Sequence, residues 1–444
     1  MGEISVKTGN NARNGGKNSL NRLIRCVCGK KIGPDPRNFN QRVSLGRNDL
    51  LIRTFLSDLA NYFSVTKETI RTDLAWLQKR GVVSRHHGGV SLKKHLMQNA
   101  LSQQEYVDMS LLIKQQQQGI GYLTSLDDKG RRMVGKVCVL GSFNVDIVAK
   151  VYRFPNEGET LVARETTMGP GGKGANQALA AHRAGAQIHF ACKIGRDQFN
   201  HFARNHIESI GIGSFTFYES ELSTTGCAVI YVNDEGENMI AMSPGANHEL
   251  SDNDIIQLSH FIAESDVFIV QMENNLAATQ LALKCAQKMQ VTTILNPAPW
   301  SSDVATLLPF VDIVTPNETE ASAMSGMVID NISDAVKAAK HIYNAGQCSV
   351  IITMGKRGAL IYDGQQCAHI PAFSAVAVDT TGAGDAFNGA LAAALAKGES
   401  LVKAAWYASA FASLAVEKEG AANMPDISLV DARIQQQNVA IQTF

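Results

Sequence analysis

The 444-residue sequence has no long apolar run, no apolar core near its start, no cysteine framework and no net charge. Without a stretch near the roughly 18 residues needed to cross a bilayer, no membrane-spanning helix is expected. The first residues are polar and basic, which is not the pattern of a secretory leader. Eight cysteines are scattered at irregular spacing. That fits reduced, mostly buried thiols of a cytoplasmic protein better than a set of disulfides. Cys26 and Cys28 look like half of a zinc site, but structural zinc needs four ligands and the segment offers no second pair. The zero net charge hides an uneven distribution. Residues 1–95 hold 18 Lys and Arg against 6 Asp and Glu, a net of +12, so with 41 of each sign in the whole chain the remainder carries −12. Such a split suggests a nucleic-acid-facing segment joined to an ordinary acidic enzyme domain.

What is present centres on Val378 to Ala390. Gly382, Ala383 and Gly384 form a small-residue turn followed at once by a helix-compatible segment through Ala396. A turn of this kind leaves backbone N–H groups unpaired at the positive end of the helix dipole, an arrangement that holds anions, phosphate above all. Asp385 stands where a carboxylate faces whatever those N–H groups hold. An anion cradle beside a proton acceptor suits phosphoryl transfer. Taken alone, the short Gly-x-Gly-Asp run fits a glycine-rich turn with an acidic cap better.

A second glycine-rich string, Gly169-Pro-Gly-Gly-Lys-Gly-Ala-Asn-Gln-Ala178, opens a helix through Ala184. Its glycines allow close backbone approach to a ligand, and Lys173 and Asn176 add fixed donors. Short apolar strands at 137–141, 187–192, 267–271, 291–295, 312–315 and 350–353 alternate with helical stretches. The fold class expected is α/β, a mostly parallel sheet covered on both faces, with ligands at the carboxyl ends of its strands. Asn144 and Asp146 close the first strand, placed either to bind sugar hydroxyls or to cap a turn.

Together the two strings resemble the paired signatures of the ribokinase (PfkB-type) family of sugar kinases: the first near the N-terminal end of the domain, and Asp379-Thr-Thr-Gly-Ala-Gly-Asp385 near its C-terminal end. Ile194-Gly-Arg-Asp197, Asn296-Pro-Ala-Pro299, Thr315-Pro-Asn-Glu-Thr-Glu320 and Thr353-Met-Gly-Lys-Arg-Gly358 extend the likeness over some 300 residues, about 135–437. The resemblance implies a large α/β domain with a small β-sheet lid drawn from about 147–168 and 215–242, and a homodimer paired through the lid. It implies ATP-dependent phosphorylation of a pentose, ribose first, at its 5-hydroxyl. The sugar would meet Asn144, Asp146, Gly172, Lys173, Gly174, Ala175, Asn176 and Glu273. Asp385 would be the catalytic base, and Gly382, Ala383 and Gly384 the anion hole. ATP would meet Asn317, Thr353, Met354, Gly355, Lys356, Arg357, Gly358, Gly384, Asp385 and Ser409. Mg²⁺ would be handled by Glu320 through water. K⁺ would bind near Asp379, Thr381, Ala415, Lys418, Gly420 and Asn423. Ser409 stands where the family often has Asn or His, and Asn423 where it often has Ser.

Ahead of that domain, residues 1–40 are polar and weakly patterned, and are expected to be poorly ordered. In 41–95, Leu56 to Phe63 reads as a short helix, Ser64-Val65 as a turn, and Thr66 caps a second helix to about Arg80. Lys67, Glu68, Thr69, Arg71 and Thr72 lie on its outward face, as for a helix in a major groove. Val82 to Val90 reads as a hairpin wing with Arg85 set to meet phosphate. This stretch resembles the helix-turn-helix of the DeoR class of bacterial repressors, which implies operator DNA as a partner. The family's first helix would fall near 38–52, where Gly46 and Asn48 fit it poorly. Residues 96–134 read as a partly helical linker. The rival reading is a sugar-responsive regulator whose kinase-like domain acts mainly as a sensor.

Overall fold

A computed structural model of the chain describes residues 134–444 and, ahead of them, the backbone of four short strands. The chain divides into two compact units, Met1–Thr124 and Ser125–Phe444. In the first, β1 (Ser44–Leu45), β2 (Asp49–Ile52), β3 (Val83–His86) and β4 (Gly89–Lys93) form a sheet of order β1-β2-β4-β3. The β3–β4 hairpin falls where the wing is expected, with Arg85 on β3. The β1–β2 hairpin occupies the stretch where the resemblance would put a first helix. This agrees with the poor fit noted there, since Gly46 and Asn48, poor helix formers, fall between the two strands in sequence. The two helices expected at 56–80, with Lys67, Glu68, Thr69, Arg71 and Thr72, lie outside the described residues, as do the segments 1–40 and 96–133.

In the second unit the strands are β5 (Lys136–Leu140), β6 (Asn144–Lys150), β7 (Glu165–Gly171), β8 (Gln187–Gly195), β9 (Phe215–Ser220), β10 (Gly226–Val232), β11 (Asn238–Ser243), β12 (Val267–Val270), β13 (Thr292–Leu295), β14 (Ile313–Val314), β15 (Ser349–Thr353), β16 (Ala359–Tyr362), β17 (Cys367–Ile370) and β18 (Gln442–Thr443). A ten-stranded sheet runs β18-β17-β16-β15-β14-β13-β12-β5-β8-β9. Strands β9 to β15 of that order are mutually parallel, and β16, β17 and β18 continue antiparallel. The central strands β5 and β12 read Lys-Val-Cys-Val-Leu and Val-Phe-Ile-Val, and all but the leading lysine are buried, as a strand covered on both faces requires. The sheet extends past residue 437, since β18 pairs with β17.

A second, four-stranded sheet has the order β11-β10-β6-β7. It is the lid the sequence leads one to expect, with two corrections. Phe215–Ser220 is not part of it but pairs in parallel with β8 at the edge of the large sheet, burying its aromatics there. Asn144 and Asp146 begin the first lid strand and do not close β5.

The helices that position the site are α1 (Lys173–Arg183) and α7 (Ala383–Ala396). Between them in sequence lie α2 (Gln198–Ser209), α3 (Asp252–Ala263), α4 (Leu276–Lys288), α5 (Glu318–Ser325) and α6 (Ile332–Gly346); α8 (Leu401–Ala415) and α9 (Ile427–Gln437) follow. Local chemistry sets their starts. Asp197 caps α2, and capping boxes of Ser251 with Asp254 and Asn317 with Glu320 open α3 and α5. Helix α7 is almost entirely buried, its alanines packing on α1 and α8 in the main core. The two helices touch at Gly389, where a Cβ would lie 2.5 Å from both the Ala180 Cβ and the Gln177 carbonyl. Gly389→Val should therefore destabilise the protein by about 1–3 kcal/mol through overpacking, measured by denaturant unfolding.

Candidate active site

Much of the site is built where the chain leaves a strand or enters a helix. Ser142 follows β5, Gln271 and Glu273 follow β12, Asn296 follows β13, Thr315 and Asn317 follow β14, and Gly355 follows β15. These are the carboxyl ends of the parallel strands, the usual ligand edge of such sheets. The N-terminus of α7 points into the same place. Its cap, Gly382, has φ 77°, and a Cβ there would come within 2.8 Å of Ala421, so both backbone conformation and space call for glycine.

Asp385, in the first turn of α7, is 6 % exposed. Its Oδ2 accepts from the Asn176 side-chain amide at 3.2 Å and its Oδ1 from the Gln177 amide at 2.9 Å. Burial raises its pKa, opposed by the charge of Lys173 and by these two donors, and the net shift is upward. A carboxylate with a raised pKa, held in place by two neutral donors, is chemically a proton acceptor. The Ala383 N–H is directed at the Thr380 carbonyl at 3.2 Å, which leaves Gly382 and Gly384 as the better placed of the three expected anion-hole residues.

Lys173 opens α1. Its backbone N–H donates to Glu273 Oε2 at 3.1 Å, and the same carboxylate accepts the Ser142 hydroxyl. Burial works against the Lys173 ammonium, but the charges of Asp385, Glu273 and Glu320 outweigh it and raise its pKa. Asp146 lies on β6 opposite Gly169 and against Gly171, whose absent Cβ would meet its carboxylate at 2.3 Å. Burial, and then the nearby Glu273, push Asp146 up to about 6. Asn144 is 4 % exposed and accepts from the Asn247 amide at 2.8 Å, which keeps its own amide donor directed toward the Met242 sulfur at 3.9 Å. Of the residues expected to meet a sugar, Asn144, Asp146, Gly172, Lys173, Asn176 and Glu273 thus cluster around the start of α1. Gly174 and Ala175 do not join them as donors. Both are buried, and their N–H groups go to Ser142, at 3.3 Å to its hydroxyl and 3.0 Å to its carbonyl.

A cavity of about 450 Å³ opens on the other side of the α7 start, between the β15–β16 turn, the 372–380 segment and α8. Thr353, Gly355, Lys356, Gly358, Gly384 and Ser409 line it. The other residues expected to meet a nucleotide are placed differently. Met354 is buried in the core. Arg357 is tied to Glu318 and to the Ile329 and Asp330 carbonyls. Asn317 caps α5 through the Glu320 N–H at 2.8 Å, and Glu320 returns a bond from the Asn317 N–H at 2.9 Å. Glu320 is buried, and its pKa is raised by that burial.

The residues expected at a cation site also meet. Asp379 accepts from the Thr381 N–H at 2.8 Å and the Gly420 N–H at 2.9 Å, tying the 378–381 and 416–423 loops together. These donors outweigh burial and lower its pKa. Asn423 instead bonds the Glu419 carbonyl.

Sequence reading passes over Gln177, Gln271, Asn296, Thr315 and Asn388. Gln271 donates to Gln177 at 2.7 Å, Gln177 to Asn296 at 3.0 Å, and Asn296 to the Thr315 carbonyl at 3.3 Å. The Thr315 hydroxyl bonds Asn388 at 2.6 Å, and Asn388 bonds the Gly384 carbonyl at 2.9 Å. Gln177, Asn296, Thr315 and Asn388 fall inside the quoted strings, but nothing in the sequence gave them these partners.

A raised carboxyl pKa has a consequence for stability. The folded state holds the Asp146 proton more tightly than the unfolded chain does, so this contribution is present at low pH and is lost as pH rises through about 4 to 6. Asp146→Asn should flatten the stability–pH curve over that window, and the gain over the parent should grow with pH, as followed by thermal unfolding from pH 4 to 8.

Comparison with known proteins agrees with this geometry. The model of the pfkB family of carbohydrate kinases matches residues 134–427, and that of the DeoR-like helix-turn-helix domain matches 54–95. Ribokinase of Haemophilus influenzae is 38% identical over 283 residues, covering 64% of this chain and 92% of that protein. Deoxyribokinase of Salmonella typhimurium is 35% identical over 257 residues, covering 58% of this chain and 84% of that protein. The structure of Arabidopsis thaliana ribokinase complexed with ribose and ATP superimposes with a TM-score of 0.63 at 29% identity, covering 68% of this chain and 99% of that one. With its glycine-opened α7, its buried Asp385 and its four-stranded lid, the chain belongs to the pfkB family of carbohydrate kinases, preceded by a DeoR-like helix-turn-helix domain.

Proposed function

We propose that this kinase transfers the γ-phosphoryl group of ATP to the primary 5-hydroxyl of a pentose, ribose before deoxyribose. The observation that carries the reading is the buried Asp385 carboxylate, set between the cluster around Lys173 and the cavity rimmed by Gly384. Asn144, Asp146, Lys173, Asn176 and Glu273 hold the sugar, and Asp385 takes the proton of its attacking hydroxyl. The N-terminus of α7, through Gly382 and Gly384, holds the moving phosphoryl group, and Lys173 adds a fixed positive charge. Thr353, Gly355, Lys356, Gly358 and Ser409 surround the nucleotide. Mg²⁺ would neutralise the nucleotide phosphates, with Glu320 reaching it through water, and K⁺ would sit at the Asp379 and Gly420 loops. The relatives named ribokinase support ribose, and those named deoxyribokinase make deoxyribose the substrate to test against it.

Exposed Met239, Ile240 and Met242 on β11 favour a homodimer joined through the lids. The match to a DeoR-like domain favours a kinase that also binds operator DNA, and it keeps open a regulator that senses sugar without turnover. A coupled ADP-release assay with ribose, deoxyribose, fructose and adenosine, with and without K⁺, should show turnover on one pentose. Silence across the panel with sugar binding retained would favour the sensor. Asp385→Asn should cut kcat by about 10²–10⁴ while sugar affinity persists by calorimetry, and a near-normal rate would refute the role. A mobility shift with the DNA flanking its own gene at low salt, where basic contacts are strongest, tests the regulatory half; no shift would remove it.

A further inference from the structure

We infer that Gln177 is a positioning residue for Asp385, fixing the plane in which its carboxylate takes the proton of the sugar hydroxyl. The inference rests on the reading of Asp385 as the base. Gln177 is fully buried on α1 and does not line the nucleotide cavity, so it acts through another group. Its side chain makes three bonds that only one orientation satisfies. The carbonyl accepts from Gln271 at 2.7 Å, and the two amide hydrogens go to Asp385 Oδ1 at 2.9 Å and Asn296 Oδ1 at 3.0 Å. Turning the amide over would put an oxygen against two oxygens and a donor against a donor. Asn296 is itself anchored, since its amide donates to the Thr315 carbonyl. A line of neutral amides therefore runs from the end of β14 to the base without a water-accessible link.

The effect on Asp385 has two parts. Gln177 on Oδ1 and Asn176 on Oδ2 fix the plane of the carboxylate. The Gln177 donor also favours the ionised form, opposing the burial that raises the pKa. The charged groups facing Asp385 are Lys173 from α1 and Glu273 from the segment after β12, and Glu320 from α5 acts on Lys173. None of these belongs to the Gln177 line, so substituting Gln177 leaves the charges in place.

Gln177→Met keeps the length and bulk of the side chain and removes the donor. The acidic limb of the kcat/KM profile for the pentose should rise by about one pH unit, and kcat at neutral pH should fall about tenfold or more, with sugar KM within about threefold of the parent. Gln271→Met, which touches Gln177 but not Asp385, should move the limb the same way by less. A purely structural role would lower the melting temperature in both variants without moving the limb. A folded Gln177→Met enzyme with an unmoved limb and kcat within about twofold of the parent overturns the inference. Should Gln177→Met fail to fold, the Gln271→Met profile decides, and an unmoved limb there overturns it equally. Asp385→Asn in parallel separates the readings. If it retains turnover, the base assignment itself fails; if it is inactive while the amide variants behave like the parent, only the positioning role falls.

Discussion

A carboxylate kept out of water at the start of a helix is the constraint that shapes this site. Asp385 on its own would take up a proton and lose its use. It is held short of that by a cation and two amides that all arrive from α1, far away in the sequence. Lys173 and Asn176 come from α1, so the α1–α7 crossing, close enough to require glycine at position 389, is as much a feature of the site as of the core. The same cation serves Glu273 and Glu320. Negative side chains outnumber it, and Asp146 is drawn toward its neutral form by burial and then by Glu273.

The two sheets divide the work. Strands β12, β13 and β14 end in Gln271, Asn296 and Thr315, buried amides and a hydroxyl whose bonds stay within the protein. Through Gln177 they give Asp385 a fixed setting. The lid presents Asn144 and Asp146, which are held from one side by Asn247 and Gly171 and remain able to face a ligand. Asp197 joins the halves, capping α2 while it accepts from the backbone N–H of Thr225, at 2.6 Å, next to lid strand β10. The cavity beside Gly384 is built from yet another region, the antiparallel end of the large sheet with α8.

Much of this was legible in the sequence. Buried parallel strands are short and apolar on both faces, so β5, β8, β12, β13, β14 and β15 could be read directly, and the two glycine-rich strings marked the helix starts. Phe215–Ser220 was misassigned because an edge strand buried on one face alternates in the same way as a lid strand. Met354 and Arg357 sit in a motif of which Thr353, Gly355, Lys356 and Gly358 line the cavity, and a motif does not say which side chains turn away. Gln177 and Asn296 stand in recognisable strings and Gln271 does not, but the bonding of all three was hidden, because a buried amide takes its meaning from partners 94 and 119 residues away.

The short interval between β5 and β6 carries one more implication. The large sheet ends at Leu140 and the lid begins at Asn144, so the passage from one to the other runs through a residue assigned to the sugar. The hinge of such a lid is part of its grip. Swinging the lid away would draw Asn144 and Asp146 off the ligand in the same movement, so opening and product release would be a single event, and the rate of one would set the rate of the other.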